Sequence, residues 1–221
     1  MKRNNLATLN ELKAISNIFH SVLMIYPEAE LLNQFKEQNL AKDWPRLTNS
    51  KRESQALDEL SRFLTQWSDN NDALIKLKLD YGTVFYGPNT PKATPWGSTY
   101  LSPSQLLNDS STIELKHFYA KHGINVKAES NEPIDHIGLI MAVINFLLGK
   151  MIENPSNDDY RLVLTELLET HFLPWGNRCL QLAYENSESD YYKGFSNLGL
   201  EFFEYLIKTF NLKVKVINIY R

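Results

Sequence analysis

The sequence predicts an all-α fold, a single compact helical domain over residues 1–221 with about ten helices and an extended C-terminal tail. Apolar residues recur at spacings of three and four along most of the chain, which places them on one face of successive helices. Residues 213–220 alternate like a strand but have no partner strand. A length of 221 residues suits one large domain.

Four helices are predicted before a break at Gly87-Pro88. Capping-box patterns, Thr8-x-x-Glu11 and Ser50-x-x-Glu53, open the first and third helices, and Pro27 separates the first from the second. The buried faces of the four helices are, in order, Leu9, Leu12, Ile15, Phe19, Val22 and Tyr26; Leu31, Leu32 and Phe35; Leu57, Leu60, Leu64 and Trp67; Leu74, Leu77, Tyr81, Val84 and Phe85.

Residues 87–100 are predicted to be neither helix nor strand. Helix resumes at Ser102-Pro103, Ser111 caps the next helix, and Gly123 ends it. A polar linker with a possible hinge follows at residues 124–132, and Pro133 opens a strongly apolar helix. The remaining helices carry these apolar faces: Tyr160, Val163, Leu167 and His171; Trp175, Cys179, Leu182 and Ala183, after Pro174; Tyr191, Phe195, Leu198, Phe202, Leu206 and Phe210.

Charge and cysteine content exclude several classes of protein. The net charge of -3 gives no basic excess for binding nucleic acid. The single cysteine, Cys179, excludes an internal disulfide or a multi-cysteine metal site and favours a reducing compartment. There is neither a secretory signal nor an apolar run long enough to cross a bilayer. The predicted location is cytoplasmic, without stable membrane insertion.

Catalytic chemistry is not indicated. No pair of histidines has the spacing of a helical zinc site. Glu114-x-x-His117 is half of a di-iron motif whose second half is missing, so it is interpreted as a solvated helix face. Ser98 and Ser196 lack a nucleophile elbow, and Cys179 sits at core spacing. No phosphate-binding loop is present. The prediction is therefore no catalytic residue, no metal and no cofactor.

The first candidate binding feature is the segment 80–100. Pro91 and Pro95 stiffen its loop, and Trp96 and Tyr100 add the large amphipathic area that is enriched at binding surfaces. A stiff loop loses less entropy when it binds a partner. The alternative is a loop that Trp96 pins over the core. Earlier in the segment, three residues share a helix face that is read as core by periodicity: Tyr81, Val84 and Phe85.

The second candidate feature is Glu132-Pro133-Ile134-Asp135-His136, at the entry to an apolar helix. Its carboxylates suit an acidic pocket, because carboxylates bind guanidinium groups through charge-assisted and often bidentate hydrogen bonds. The alternative is purely stabilising, since acids near a helix N-terminus complement the helix dipole.

Four blocks of residues carry a family resemblance. In order they are Tyr81-x-x-Val84-Phe85-Tyr86-Gly87-Pro88, then Pro91 to Pro95-Trp96-Gly97-Ser98-x-Tyr100, then Asn131-Glu132-Pro133-x-Asp135-His136, then Phe172-Leu173-Pro174-Trp175. The order and spacing of these blocks resemble the TorD/DmsD family of cytoplasmic chaperones, which recognise twin-arginine leader peptides of molybdoenzymes. The residues of the second and third blocks are most similar to those of the DmsD branch. Three positions depart from that branch: Tyr81 replaces a tryptophan, Asn89 an aromatic residue and Asp109 a frequent glycine.

The resemblance implies a partner and a purpose. The partner is the twin-arginine leader of a molybdoenzyme precursor, with the catalytic subunit of dimethyl sulfoxide reductase implied by the DmsD branch. Components of the Tat translocase are further implied partners. The purpose is to hold the precursor in the cytoplasm during maturation and to proofread it before export. Some members of the family exchange halves between protomers, which a hinge at residues 124–132 permits, and nucleotide binding is reported for others.

The leader's two arginines and apolar stretch match the two candidate features. Glu132 and Asp135 are expected to attract the arginine pair, so Asp135→Ala should weaken leader binding about tenfold or more. His136 is expected to bond the peptide backbone or to orient Asp135. An apolar groove is expected from Tyr81, Val84, Phe85 and Trp96, beside Tyr100, with Ser98 fixing the loop.

Two other functions stay open. One is a helical adaptor that assembles a respiratory enzyme without reading a leader. The other is a small enzyme that uses Asp135 and His136 as an acid–base pair.

Overall fold

The structure is a computed structural model that describes residues 6–87, 90–126 and 131–221. Helices dominate these residues, and their only β pairing is an isolated bridge between Trp96 and His136. The predicted all-α class is therefore confirmed. None of the described helices combines the length and the apolarity needed to cross a membrane. The predicted break at Pro88 and residues 127–130 of the predicted hinge lie outside the described residues.

The helices follow one another with short connections. Those before the central loop are α1 (Leu6–Met24), α2 (Ala29–Glu37), α3 (Leu40–Asp43), α4 (Lys51–Gln66), α5 (Asn71–Tyr81) and the π-helix π1 (Gly82–Tyr86). Those after it are α6 (Ser98–Leu101), α7 (Ser110–Lys121), α8 (Ile137–Glu153), α9 (Asp159–Glu166), the π-helix π2 (Leu167–Phe172), α10 (Leu173–Asn186) and α11 (Asp190–Phe210).

Contacts between residues divide the chain into two compact units. The first unit comprises Met1–Met24, Pro95–Gly176 and Leu206–Arg221. The second unit comprises Ile25–Thr94 and Asn177–Tyr205. A single domain over residues 1–221 stays a prediction.

The core of the first unit is built on α1 and α8. Helix α8 is apolar on nearly every side and is therefore an inner helix. Gly138 lets it approach α1 closely, because a Cβ there would lie 2.7 Å from Cβ of Met24. The predicted buried face of α1 is confirmed from Leu9 to Val22, whereas the exposed Tyr26 lies beyond the end of the helix.

The core of the second unit is aromatic. The ring of Tyr81 packs against Tyr26, Phe85, Tyr86 and Tyr192, with centroids 4.9 to 5.7 Å apart. Such pairs add about 0.5–1.5 kcal/mol each beyond the burial of area.

Hydrogen bonds fix the start of α4 in the second unit. The Ser50 hydroxyl accepts from the backbone N–H of Glu53, 2.9 Å away, as its capping pattern predicts. The Glu53 carboxylate instead accepts from the loop before the cap, including the N–H of Leu47 at 2.6 Å.

Several predicted helix boundaries are wrong. Helix α1 begins before Thr8. The short helix α6 begins within residues 87–100, which were predicted to be neither helix nor strand, and Ser102 is followed by turns rather than by a helix. The cap of α7 is Asp109 rather than Ser111, because the Asp109 carboxylate accepts from the N–H of Ser110 at 2.6 Å. Similarly, α8 begins after His136 rather than at Pro133.

The two π-helices were not predicted. Pattern reasoning ends a helix before Pro174, whereas the structure continues from π2 directly into α10. Pro174 lies in the first turn of α10, where its missing N–H is tolerated. The first π-helix lies within the first signature block, and the second ends at Phe172, where the fourth block begins. Turns of π-helix occur frequently at functional sites.

The C-terminal tail is extended, as predicted. The Lys215 N–H donates to the carbonyl of Glu169 at 2.9 Å, and the Tyr220 N–H donates to the carbonyl of Tyr100 at 3.0 Å. The tail therefore forms backbone hydrogen bonds with π2 and α6, both within the first unit.

Candidate functional site

Two of the signature blocks lie side by side in the first unit. The N–H of Gly97 donates to the carbonyl of Asp135 at 3.1 Å, and the N–H of Ile137 donates to the carbonyl of Pro95 at 2.7 Å. Trp96 and His136 face each other across this antiparallel bridge. The backbone therefore fixes the position of each segment relative to the other.

Trp96 and Glu132 form the accessible part of this arrangement. The indole N–H of Trp96 donates to Oε2 of Glu132 at 2.9 Å, and both side chains are half-buried. Oε1 of Glu132 accepts no hydrogen bond within the described part of the chain. The pair therefore presents a carboxylate, held in place by an aromatic ring, to a ligand with donor groups.

Asp135 lies beneath this surface and is only 3% exposed. Its Oδ2 accepts from the backbone N–H of Ser98 at 2.7 Å and from Oγ1 of Thr112 at 2.9 Å. These bonds join the start of α6, the start of α7 and the loop before α8. The carboxylate predicted to attract an arginine thus serves first as a junction between three segments.

Unpartnered polar atoms surround this junction. Oδ1 of Asp135, Oγ of Ser98 and the hydroxyl of Tyr119 are buried without a hydrogen-bond partner among the described residues. Burial raises the pKa of Tyr119, and the nearby charge of Asp135 raises it further. We refer to Ser98, Thr112, Tyr119 and Asp135 as the Asp135 cluster. The buried hydrogen bonds that this cluster does form constrain the local structure.

His136 caps α8 and is fully buried. Its Nδ1 accepts from the backbone N–H of Gly138 at 3.0 Å. Burial lowers the pKa of His136 to about 3, and the charge of His20 lowers it in the same direction. Since Nδ1 acts as an acceptor, the neutral ring carries its proton on Nε2.

Tyr100 connects this region to a third signature block. Its fully buried ring stacks on Trp175 with centroids 5.5 Å apart, and Trp175 also packs edge-on against Phe172 at 5.6 Å. A Cβ at Gly97 would lie 2.8 Å from the Trp175 indole, so glycine is required for this packing. Three of the four blocks therefore meet in the first unit.

The other predicted site residues, Tyr81, Val84 and Phe85, belong to the second unit and are buried. The core interpretation of their shared helix face is confirmed. Cys179 is also buried, and its thiol donates to the carbonyl of Thr94 at 3.4 Å. Glu114 and His117 are exposed, as expected for a solvated helix face.

Sequence reasoning missed Thr112 and Tyr119. Thr112 follows Ser110 and Ser111 in a run that reads as a helix start, and nothing in that run sets it apart. Tyr119 lies on the buried face of α7, but its proximity to Asp135 is a tertiary feature.

Comparison with known proteins gives a consistent result. A family model described as nitrate reductase delta subunit matches residues 50–181. A relative from Haemophilus influenzae named "Probable Tat proofreading chaperone DmsD" is 24% identical over 97% of this chain and 98% of its own length. "Chaperone protein TorD" from Aliivibrio salmonicida is 25% identical over 93% and 97%. "Tat proofreading chaperone DmsD" from Salmonella typhimurium is 27% identical over 52% and 53%.

Proposed function

Because the chain belongs to the nitrate reductase delta subunit family and its relatives are TorD and DmsD chaperones, we propose that it binds the twin-arginine leader of a molybdoenzyme precursor. The proposed setting is the cytoplasm, before export of the precursor. The proposed client is the catalytic subunit of dimethyl sulfoxide reductase, supported by the DmsD names among the relatives. Tat translocase components are proposed as later partners.

The observation that supports this function best is the hydrogen bond between Trp96 and Glu132. It joins two signature blocks at the accessible edge of a rigid backbone bridge. One carboxylate oxygen is held by the indole, and no described residue donates to the other, which suits that oxygen to accept from a guanidinium. The neighbouring aromatic ring adds a face on which a guanidinium can stack.

The buried residues of the proposed site have positioning roles. Asp135 and Ser98 hold the bridge through the 2.7 Å bond between the carboxylate and the Ser98 N–H. His136 fixes the start of α8, and Tyr100 packs beneath the loop on Trp175. This arrangement presents Trp96 and Glu132 without a large ordering entropy at the moment of binding.

The remaining three residues act through the second unit. The proposed role of Tyr81, Val84 and Phe85 is indirect, because they hold π1 in the aromatic core of the second unit. Their fully buried side chains favour this indirect role over a contact with the leader.

Titration calorimetry of a synthetic twin-arginine leader with Glu132→Gln tests the proposal. The variant should bind about ten- to a hundredfold more weakly, because a charge-assisted hydrogen bond contributes about 1.5–3 kcal/mol. Glu114→Gln is the matched control, since Glu114 is an exposed carboxylate of α7 in the same unit. Equal affinity of both variants and the wild type would remove Glu132 from the site.

The adaptor function has one observation in its favour, namely that the family model is described as a nitrate reductase subunit. Affinity purification from lysates with and without the client's leader separates the two functions. A partner that is lost when the leader is deleted supports the chaperone, whereas a partner that persists supports the adaptor. The relatives' chaperone names favour binding over catalysis by Asp135 and His136.

A further inference from the structure

The Asp135 cluster is a buried group of oxygen-bearing side chains within the first unit. Each of its four members, Ser98, Thr112, Tyr119 and Asp135, is at most 6% exposed. The Thr112 hydroxyl is already paired, because it donates to Oδ2 of Asp135. Three oxygens have no partner among the described residues: Oγ of Ser98, the phenol oxygen of Tyr119 and Oδ1 of Asp135. Buried polar atoms nearly always have a partner in native proteins, either a protein group or an ordered water.

The fold brings the three unpartnered oxygens close to one another. The Ser98 N–H donates to Oδ2 of Asp135 at 2.7 Å, so the hydroxyl of the same serine lies close to that carboxylate. Thr112 and Tyr119 are seven residues apart on α7, and this spacing of about two turns places them on one face of the helix. Side chains of a helix lean towards its N-terminus, so the Tyr119 phenol points back towards Thr112. Burial raises the pKa of Tyr119, and the nearby charge of Asp135 raises it further, in agreement with this placement.

We propose that Ser98, Tyr119 and Asp135 together bind one buried water molecule. Their three oxygens form no hydrogen bond with one another or with any other residue that the structure describes. Two of them are hydroxyl donors, and the third is a carboxylate oxygen that accepts. Water matches this set atom by atom, because it accepts from the two hydroxyls and donates to the carboxylate. Buried waters make about three such bonds on average.

A metal cation fits this site less well than water does. Hard cations also bind oxygen atoms, and the cluster contains one carboxylate. A cation, however, would turn the hydroxyl hydrogens of Ser98 and Tyr119 away from itself, and no acceptor for them exists within the described part of the chain. Water uses both hydrogens, so it is the ligand that leaves no donor unpaired.

The bound water extends the Asp135 junction along α7. Thr112 ties the first turn of α7 directly to the carboxylate, and Tyr119 ties the last turn to it through the water. The same carboxylate holds the N–H of Ser98 at the start of α6. The inference does not depend on a leader, because it concerns groups inside the first unit alone.

Tyr119→Phe and Tyr160→Phe form a matched pair for testing the water. Both variants remove a phenol hydroxyl from the first unit, but Tyr160 is half-buried at the start of α9. Tyr119→Phe should lower the urea midpoint by about 0.3–0.5 M, because it breaks one hydrogen bond of the bridge, whereas Tyr160→Phe should leave the midpoint nearly unchanged. A Tyr119→Phe midpoint equal to or above that of the wild type would overturn the proposal, since removing a buried hydroxyl that has no partner costs no hydrogen bond.

The double variant Ser98→Ala/Tyr119→Phe tests whether the two hydroxyls share one ligand. They do not bond each other, yet both bind the same water, so the midpoint shift of the double variant should be clearly smaller than the sum of the two single shifts. Additive shifts would overturn the shared water. Ser110→Ala, which removes an exposed hydroxyl at the start of α7, is the control that should add independently.

A high-resolution crystal structure of the wild type tests the ligand directly. It should show one water within about 2.5–3.2 Å of all three oxygens, and a site without that water would overturn the proposal. The urea midpoint should be the same in sodium and potassium chloride at equal ionic strength. A dependence on the cation that Ser98→Ala abolishes would replace the water by a bound metal ion.

Discussion

Replacing Asp135 by alanine is expected to destabilise the first unit, in addition to any effect on leader binding. The substitution removes two hydrogen bonds, from the Ser98 N–H at 2.7 Å and from the Thr112 hydroxyl at 2.9 Å. Each bond to a charged group contributes about 1.5–3 kcal/mol. Part of this loss of hydrogen-bond free energy is offset, because the alanine variant no longer has to bury a carboxylate, and taking an ion out of water is costly. The expected loss is about 3 kcal/mol.

Thr112→Val divides this loss between the two bonds. It removes only the hydroxyl donor and keeps a similar side-chain shape, so the expected loss is about 1.5 kcal/mol. In the double variant the two losses should not add, because both substitutions break the same bond. The coupling energy should therefore be about 1.5 kcal/mol, the whole loss of the single Thr112→Val variant.

Urea unfolding followed by far-ultraviolet circular dichroism measures these changes. With a slope of about 3 kcal/mol per molar urea, a loss of about 3 kcal/mol moves the midpoint by about 1 M. Glu114→Ala, which removes an exposed carboxylate, should stay within about 0.5 kcal/mol of the wild type. An unchanged midpoint for Asp135→Ala, together with weaker leader binding, would refute the junction role and favour direct contact with an arginine.

Two further predictions concern pH and packing. Stability should fall between about pH 6.5 and pH 3, because burial lowers the pKa of His136 to about 3 in the folded state and only the unfolded chain binds the proton in that window. His136→Asn, which keeps a capping side chain, should show a shallower fall in urea midpoints measured from pH 7 to pH 4, and an identical pH profile would contradict the reasoning. Gly97→Ala should cost about 1–3 kcal/mol, because its Cβ would lie 2.8 Å from the buried indole of Trp175. Gly149→Ala, which meets only the flexible end of Lys13 at 3.3 Å, should be neutral or slightly stabilising in thermal unfolding, and equal melting temperatures for the two variants would count against the Gly97 packing.

Helices and their buried faces were predictable because helical periodicity is local. The core residues of α4, from Leu57 to Leu64, are read directly from their spacing, and Ser50 caps that helix as its pattern indicates. Helix boundaries were less predictable where several neighbouring polar residues could each cap the helix. Asp109 precedes Ser110 and Ser111 in the sequence. The Ser102 hydroxyl donates to the Asp109 carboxylate at 2.5 Å, and this contact holds Asp109 in the capping position.

The signature blocks were visible in the sequence, and so was the chemistry suited to an arginine-bearing peptide. The separate roles of the acidic residues in these blocks were not visible. Glu132 and Asp135 are three residues apart and look equivalent as acids, but one is accessible and the other is a buried junction.

The sequence by itself determined the helical class, the apolar faces and the residue types that can bind a basic, apolar leader, because each depends on near neighbours in the chain. Only the tertiary structure decided which of the two carboxylates, Glu132 or Asp135, is accessible. Asp135 is buried by its contacts with Ser98, 37 residues away, and Thr112, 23 residues away, whereas Glu132 is held at the surface by Trp96, 36 residues away. Burial and hydrogen bonding across such separations depend on how the elements pack, and no local pattern encodes them.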